Sequence, residues 1–152
     1  MSTLTTVARP PGRIANWLRQ FSVTEYHQMI EAGILGPDDR VELLEGWIVN
    51  KMSRNPPHQG SVDRVNDCLG GVLPTNWRRR CQGAITLSES EPEPDITLAR
   101  GKIGTYDKRH PQPADIGVLM EVADSTLLED RRYKGELYAS EKIPEFWLIN
   151  IV

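Results

Sequence analysis

The sequence predicts an α/β domain in which a mixed β-sheet is flanked by helices. Short β-prone runs alternate with segments of helical periodicity, in the order α, ββ, α, ββ, β, α, β. One nearly continuous apolar run, residues 116–122, is of the kind that is buried on both faces of a sheet. Hydrophobic residues at 39% and charged residues at 26% are usual for a globular domain and argue against a disordered or fibrous chain.

The chain has 152 residues, a length that favours one domain with a single core. We expect an irregular N-terminal arm over residues 1–20, where prolines and threonines leave no sustained periodicity. The domain itself is predicted to occupy residues 21–152. Its first helix is expected to have Thr24 as its N-cap and to end at Gly33.

A β-hairpin and a long helix are predicted next. Residues 41–44 and 47–49 are β-prone and flank a Glu-Gly pair, which is the pattern of two strands joined by a two-residue turn. Apolar residues at helical spacing then predict a helix of about four turns, which begins near Pro56 and ends at Pro74.

The second half of the chain is predicted to hold four more strands and one helix. We expect the first two of these strands to pair and the third to be central in the sheet. The predicted strands are residues 81–88, 95–99, 116–122 and 143–149, and the helix is residues 128–140. Polar residues 101–113 predict a loop, which either lies over a cleft or is an ordinary surface loop.

The net charge of the chain bears on whether it binds nucleic acid. A net charge of −3 weakens the case for a nucleic-acid partner without excluding it, since such proteins usually carry a basic excess. Two local clusters, Arg78-Arg79-Arg80 and Arg131-Arg132, are either solvated surface or contacts for phosphate groups.

The two cysteines, Cys68 and Cys81, lack the spacing that is typical of a zinc site. Because no run of about 18 apolar residues and no signal peptide is recognisable, we expect a cytoplasmic protein without a membrane segment.

Two acidic residues are placed to hold a metal. The segment Glu-Pro-Glu-Pro-Asp-Ile, residues 91–96, puts Asp95 at the mouth of one predicted strand, and Glu121 lies near the end of another. If the strands are neighbours, the two carboxylates and the Val122 carbonyl meet. Hard divalent ions prefer such oxygen ligands, so the pattern predicts Mg²⁺, or alternatively Mn²⁺, and metal-assisted hydrolysis. Asp95 is alternatively a turn residue bonded to local backbone donors.

Glu121 and three further side chains of the hypothesis each have a structural alternative. Glu121 lies within an apolar run, where a buried carboxylate needs a partner, a metal or a cleft. Lys134 either forms a surface pair with Asp130, four residues earlier, or delivers its ammonium to the attacking water or phosphate. Glu42 is either a third acid ligand or an outward-facing strand residue. His58 is either a phosphate contact or base, or a structural histidine.

Several short motifs, none of them specific alone, occur in a characteristic order and spacing. They are Val-Glu-Leu-Leu-Glu-Gly (41–46), Pro-His (57–58), Pro-Asp-Ile (94–96), Met-Glu-Val-Ala-Asp-Ser-Thr (120–126), Asp130 with Lys134 and Tyr138, and Ile-Pro-Glu-Phe-Trp-Leu-Ile (143–149). Together they resemble the Uma-two family of endonucleases over roughly residues 22–152.

The resemblance implies a restriction-endonuclease-like fold of the PD-(D/E)XK nuclease superfamily, with Mg²⁺-dependent hydrolysis of DNA phosphodiester bonds. It also implies Asp95 and Glu121 as metal ligands. The superfamily lysine that follows the second acid by two residues is replaced here by Ala123. In this family a lysine from the following helix is thought to substitute, and Lys134 matches it. Glu42 matches the acidic residue of the first hairpin region.

We therefore expect a metal-dependent DNA endonuclease. The alternative is a catalytically inactive nuclease-fold domain that binds nucleic acid or has a regulatory role, as Ala123 and the acidic net charge suggest. A third hypothesis is a hydrolase that acts on a non-nucleic phosphate ester. The sequence stops within a predicted strand, whereas family members usually continue through further β structure. We expect a short or truncated version whose exposed sheet edge favours a homodimer.

Overall fold

The structure is a computed structural model, and it describes residues 17–52, 54–123 and 128–151. Most of the predicted irregular arm, residues 1–16, lies outside the described residues. The elements in chain order are α1 (Val23–Glu31), β1 (Val41–Leu44), β2 (Trp47–Asn50), α2 (Pro56–Gly70), β3 (Trp77–Cys81), β4 (Ile96–Arg100), β5 (Ile116–Ala123), α3 (Leu128–Ser140) and β6 (Glu145–Asn150). None of the helices within these ranges is long and apolar enough to cross a membrane.

Four of the strands form a mixed sheet in the order β3-β4-β5-β6. Neighbouring strands run antiparallel from β3 to β5, whereas β6 runs parallel to β5. The parallel pair is joined through α3, because parallel strands need a crossover connection. The predicted α/β class with a mixed sheet is confirmed, and the apolar run at residues 116–122 forms an inner strand as expected.

β1 and β2 form a separate antiparallel hairpin, as predicted. Its turn residues Glu45 and Gly46 have φ angles of 47° and 79°, the left-handed pair that a type I′ turn requires. An isolated backbone bridge between Leu43 and Glu91 attaches the hairpin to the segment that leads into β4. This attachment holds β1, and with it Glu42, beside the main sheet.

Apolar side chains pack on both faces of the sheet. Leu119 of β5 belongs to a cluster with Leu137 and Tyr138 of α3. Met120, the next residue of β5, belongs to a second cluster with Val62 of α2. Successive strand residues point to opposite faces, so β5 supplies both clusters. The sheet is therefore a central layer between α2 and α3.

Two helix boundaries differ from the sequence prediction. α1 is capped by Ser22 instead of Thr24, because Ser22 Oγ accepts a hydrogen bond from Glu25 N and the Glu25 carboxylate accepts one from Ser22 N. This reciprocal capping box needs an acid three residues after the cap, which Thr24 lacks. α2 ends at Gly70, earlier than expected, since the Gly70-Gly71 pair has low helix propensity.

The strand predicted at residues 81–88 is wrong, and the observed strand is β3. Ile85 and Leu87 are buried as the pattern suggests, but they lie in an irregular segment, where Ile85 N donates to Pro92 O and Thr86 N to Pro111 O. Sequence reasoning overlooks β3 because its three consecutive arginines give no apolar alternation. An edge strand tolerates charged side chains, since its pairing depends on the backbone.

Candidate active site

The register of the sheet brings the two predicted metal ligands together. Ile96 of β4 pairs with Met120 of β5, so Asp95, which immediately precedes β4, lies beside Glu121. The backbone N–H of Val122 donates to Asp95 Oδ2 over 2.9 Å. Asp95 and Glu121 are only 1% and 0% exposed, so both carboxylates depend on partners within the protein.

Asp95 is held mainly through one of its two oxygens. Its Oδ2 atom lies 3.0 Å from His58 Nε2 and 3.6 Å from Arg131 Nη2, in addition to the Val122 contact. Its Oδ1 atom is buried and has no hydrogen-bond partner among the described residues, although Arg54 Nε is 3.9 Å away. Oδ1 is therefore a carboxylate oxygen whose lone pairs can still accept a ligand.

Glu121 is bound from one face of α3. Tyr138 Oη donates to Glu121 Oε1 over 2.9 Å, and Arg131 Nη1 donates to Oε2 over 2.5 Å. Lys134 Nζ lies 3.7 Å from Oε1. The three donors are three and four residues apart, which puts them on the same side of a helix.

The hairpin supplies a third buried acid. Glu42 is 5% exposed, so the outward-facing alternative for this residue is wrong. Its carboxylate oxygens lie 2.9 Å and 3.1 Å from Lys134 Nζ, and Oε2 also accepts from the backbone N–H of Glu93 over 3.0 Å. Lys134 is likewise buried, with its ammonium between Glu42 and Glu121, whereas the side chain of Asp130 lies outside the described residues. We call Asp95, Glu121, Glu42, Arg131 and Lys134 the buried charge cluster.

The surroundings raise the pKa of two donors to the acids, Arg131 and Tyr138. Burial by itself lowers the pKa of the Arg131 guanidinium, but Glu121 and Asp95 more than offset this effect and the net shift is upward. Burial and the neighbouring Glu121 raise the pKa of Tyr138 well above its usual value, so its hydroxyl remains a donor. The carboxylates thus face permanent donors and cations.

His58, Arg131 and Tyr138 are neighbours of the acids that the sequence hypothesis underrated or left out. His58 lies in the first turn of α2, where Asn55 Oδ1 accepts a hydrogen bond from its backbone N–H, and its ring reaches Asp95 from there. Arg131 and Tyr138 share with Lys134 the spacing of one helix face. Starting from Lys134, this spacing in the sequence would have identified Arg131 and Tyr138 as further candidates for the site.

A mixed sheet with two acids at adjoining strand ends, backed by a helix that carries a lysine, defines a restriction-endonuclease-like domain. The chain belongs to the Uma2 (Uma-two) family, described as "Putative restriction endonuclease", whose model matches residues 23–152. The suspected family is thus confirmed.

A solved structure supports the same fold. A crystal structure of "a putative nuclease belonging to DUF820" from Anabaena variabilis matches with a TM-score of 0.58 at 17% sequence identity. The match covers 79% of this chain and 72% of that chain. At this identity the likeness shows the fold alone. No curated protein matches the sequence.

Proposed function

We propose that this protein is a metal-dependent endonuclease that hydrolyses DNA phosphodiester bonds at Asp95 and Glu121. Membership of a restriction-endonuclease family supports nuclease activity and a DNA substrate. The observation that carries the proposal is the juxtaposition of Asp95 and Glu121 where β4 and β5 adjoin, with Asp95 Oδ1 buried and lacking a hydrogen-bond partner among the described residues. Such an oxygen favours a cation ligand, because buried polar atoms are nearly always satisfied.

The donor set fits Mg²⁺, with Mn²⁺ as the alternative ion. Hard divalent ions in nucleases take one or two carboxylates and keep several waters, so Asp95, Glu121 and the Val122 carbonyl are sufficient ligands. The described residues contain no group of three or more His, Cys, Asp or Glu arranged to hold a metal, so the proposed site relies on two carboxylates and one carbonyl. A bound ion supplies a water of lowered pKa and offsets negative charge on the phosphate.

The other buried side chains position these ligands. His58 and the Val122 N–H fix the orientation of Asp95, and Tyr138 fixes that of Glu121. In this proposal Lys134 supplies the fixed positive charge that Ala123 cannot, since its ammonium lies 3.7 Å from Glu121. Glu42 anchors that ammonium.

One observation favours the alternative, a nuclease-fold domain that binds nucleic acid or regulates without turnover. The Arg131 guanidinium contacts both Asp95 and Glu121 and is 6% exposed, so a cation already offsets part of the negative charge of the two acids. If Arg131 holds this position permanently, the site needs no metal and carries out no hydrolysis.

We also propose a cytoplasmic location and a homodimer. Cys68 and Cys81 are both exposed and free of disulfides, which is usual for a reducing compartment. β6 is the last strand of the described sheet, and an edge strand offers unpaired backbone groups to a second copy.

A cleavage assay with matched variants tests the proposed activity. Purified protein is incubated with supercoiled plasmid, single-stranded DNA and RNA, with Mg²⁺, Mn²⁺ or chelator. We expect metal-dependent DNA cleavage that falls more than about 100-fold in Asp95→Asn and in Glu121→Gln, because loss of partners that merely orient metal ligands already costs about 10- to 100-fold.

Asp63→Asn is the matched control, since Asp63 is an exposed acid on α2 that accepts a hydrogen bond from Gln59. Its activity should equal that of the wild type. Cleavage that survives both active-site substitutions would show that the site is wrongly assigned. DNA binding without cleavage under any of these conditions would favour the non-catalytic alternative.

A further inference from the structure

Three consecutive arginines, Arg78, Arg79 and Arg80, lie on the exposed edge of the main sheet. They belong to β3, which pairs with β4 on one side and is the terminal strand of the described sheet. The pairing places Arg78 opposite Ala99 and Arg80 opposite Thr97. The edge therefore presents positive charge along its whole short length.

Neutral neighbours hold these arginines on both faces of the strand. On the α2 face, Arg79 Nη1 donates to Asn66 O over 2.6 Å. On the opposite face, the Arg80 guanidinium carbon lies 5.5 Å from the centre of the Tyr106 ring. Strand alternation produces this division, and it lets one strand hold cations on both sides of the sheet.

The three arginines lack acidic partners of the kind that Arg109, Arg131 and Arg19 have. Arg109 pairs with Asp115, Arg131 with Glu121, and Arg19 with Glu25. Within the described ranges, by contrast, no carboxylate forms a salt bridge with Arg78, Arg79 or Arg80. Because the chain has a net charge of −3, this absence is not caused by a shortage of acids. The guanidinium donors here remain available for an external anion.

Two open grooves adjoin β3. Arg78 and Arg79 line both of them, and Arg80 lines one. One has a volume of about 180 Å³ and is lined by Arg78, Arg79, Arg80, Lys102, Tyr106 and Asp107 among others. The other, of about 260 Å³, runs past Trp77, Arg78 and Arg79. We call Arg78, Arg79, Arg80 and Lys102 the β3 basic surface.

The β3 basic surface leads directly to the buried charge cluster. Cys81, the residue after Arg80, pairs with Ile96, and Gln82 N donates to Asp95 O over 3.0 Å. A polyanion bound along β3 would thus have one end beside Asp95. A chain of phosphates has this linear distribution of charge, and arginine binds phosphate through its planar set of donors.

We propose that the β3 basic surface binds the phosphodiester backbone of duplex DNA and aligns it with the Asp95 site. This inference rests on the proposed nuclease function, but it concerns binding and is tested without cleavage. Phosphate contacts of this kind position a nucleic acid without reading its sequence.

The test measures binding of a labelled DNA duplex by fluorescence anisotropy in chelator, over a series of salt concentrations. The variant carries Arg78→Gln, Arg79→Gln and Arg80→Gln together. We expect its affinity to fall about tenfold or more at low salt, and the slope of log affinity against log salt to become shallower by about 2 to 3, since each phosphate contact contributes about 0.9. The corresponding triple lysine variant keeps the charge but loses the planar donors, so it should keep the wild-type salt slope and bind more tightly than the glutamine variant.

A second triple variant, Arg19→Gln, Arg40→Gln and Lys142→Gln, removes the same charge from exposed positions outside β3. It should retain the wild-type affinity and slope. If both glutamine variants lose the same amount of affinity, the effect is one of net charge and the proposal is overturned. Wild-type affinity of the β3 variant would overturn it as well. Circular dichroism confirms that each variant is folded. If the β3 variant binds DNA as the wild type does and still cleaves it in a metal-dependent way, the role of the β3 basic surface is refuted. The proposed active site is then unaffected.

Discussion

At the scale of single residues, the buried charge cluster is nearly balanced. Asp95, Glu121 and Glu42 bring three carboxylates below the surface, and Arg131 and Lys134 bring two cations. Arg131 Nη1 lies 2.5 Å from Glu121 Oε2, and Nη2 lies 3.6 Å from Asp95 Oδ2. A divalent ion shared by Asp95 and Glu121 must therefore compete with this guanidinium or displace it.

Replacing Arg131 by methionine should strengthen metal binding. Without the guanidinium, Asp95 and Glu121 lose the cation that they share, and breaking a buried ion pair costs about 3–5 kcal/mol. We expect Arg131→Met to unfold at a lower temperature in chelator, to gain more stability from Mn²⁺ than the wild type does, and to bind Mn²⁺ about tenfold more tightly. Isothermal titration calorimetry and thermal unfolding measure these effects.

Arg132→Met is the control, because Arg132 is the neighbouring residue of α3 but is exposed. It should bind Mn²⁺ with wild-type affinity. If Arg131→Met and the wild type bind Mn²⁺ equally well, Arg131 does not compete for the acids. If neither binds it, the metal assignment of Asp95 and Glu121 is wrong.

At the scale of elements, α3 controls the geometry of the site. It carries Arg131, Lys134 and Tyr138, and its distance from the sheet decides whether they reach Glu121. Gly135 lies where α3 approaches β6: a Cβ atom added there would be 2.8 Å from Phe146 Cε1. Phe146 in turn packs edge-on against Tyr138, with ring centres 5.4 Å apart. The glycine thus permits the close approach that brings the donors of α3 to the acids.

Gly135→Ala should destabilise the protein despite the better helix propensity of alanine. The propensity gain is about 1 kcal/mol, whereas overpacking a filled contact costs about 1–3 kcal/mol. We expect a net loss of up to about 2 kcal/mol in the free energy of unfolding and reduced nuclease activity, as α3 moves away from Glu121. Urea unfolding and the plasmid assay provide the measurements.

Gly60→Ala in α2 is the matched control. An added Cβ at Gly60 would have only Arg64 Nη1 near it, at 3.8 Å, which is ordinary contact. This substitution should stabilise the protein by up to about 1 kcal/mol. If the two alanine variants are equally stabilised, close packing of α3 on β6 does not limit the position of the helix.

At the scale of the whole molecule, the sheet has two different edges. β3 is basic, and like charges keep two such edges apart, whereas β6 carries Trp147, which is 48% exposed. This difference is our reason for expecting separate roles at the two ends of the described sheet. We expect the β3 edge to contact the substrate and the β6 edge to contact a second copy of the chain.

The proposed homodimer predicts a mass in solution of twice the 17.2 kDa of one chain. Trp147→Lys should give the mass of a monomer, because a charge on an edge strand disfavours strand pairing between copies. Ile103→Lys, at an 89% exposed position in the loop before β5, should remain dimeric. Light scattering after size-exclusion chromatography measures the mass, and a monomeric wild type at working concentration would refute this arrangement.

Local patterns in the sequence determined much of the fold. Glu45-Gly46 specified the hairpin turn, and the apolar run ending at Val122 specified the inner strand, because turn chemistry and periodicity act over a few neighbouring residues. The same kind of reasoning selected Asp95 and Glu121, since an acid beside or inside a buried strand is conspicuous at the level of sequence.

Only the tertiary structure decided which distant groups meet those acids. β3 was invisible in the sequence because backbone pairing with β4, and not side-chain periodicity, makes it a strand. His58 of α2 and Arg131 of α3 reach Asp95 from opposite directions across the sheet, a contact that depends on how the helices pack. The sequence by itself thus determined most of the elements, though not β3, and singled out the two acids. Long-range packing decided their cationic partners, because the energy of a buried charge depends on what surrounds it in space.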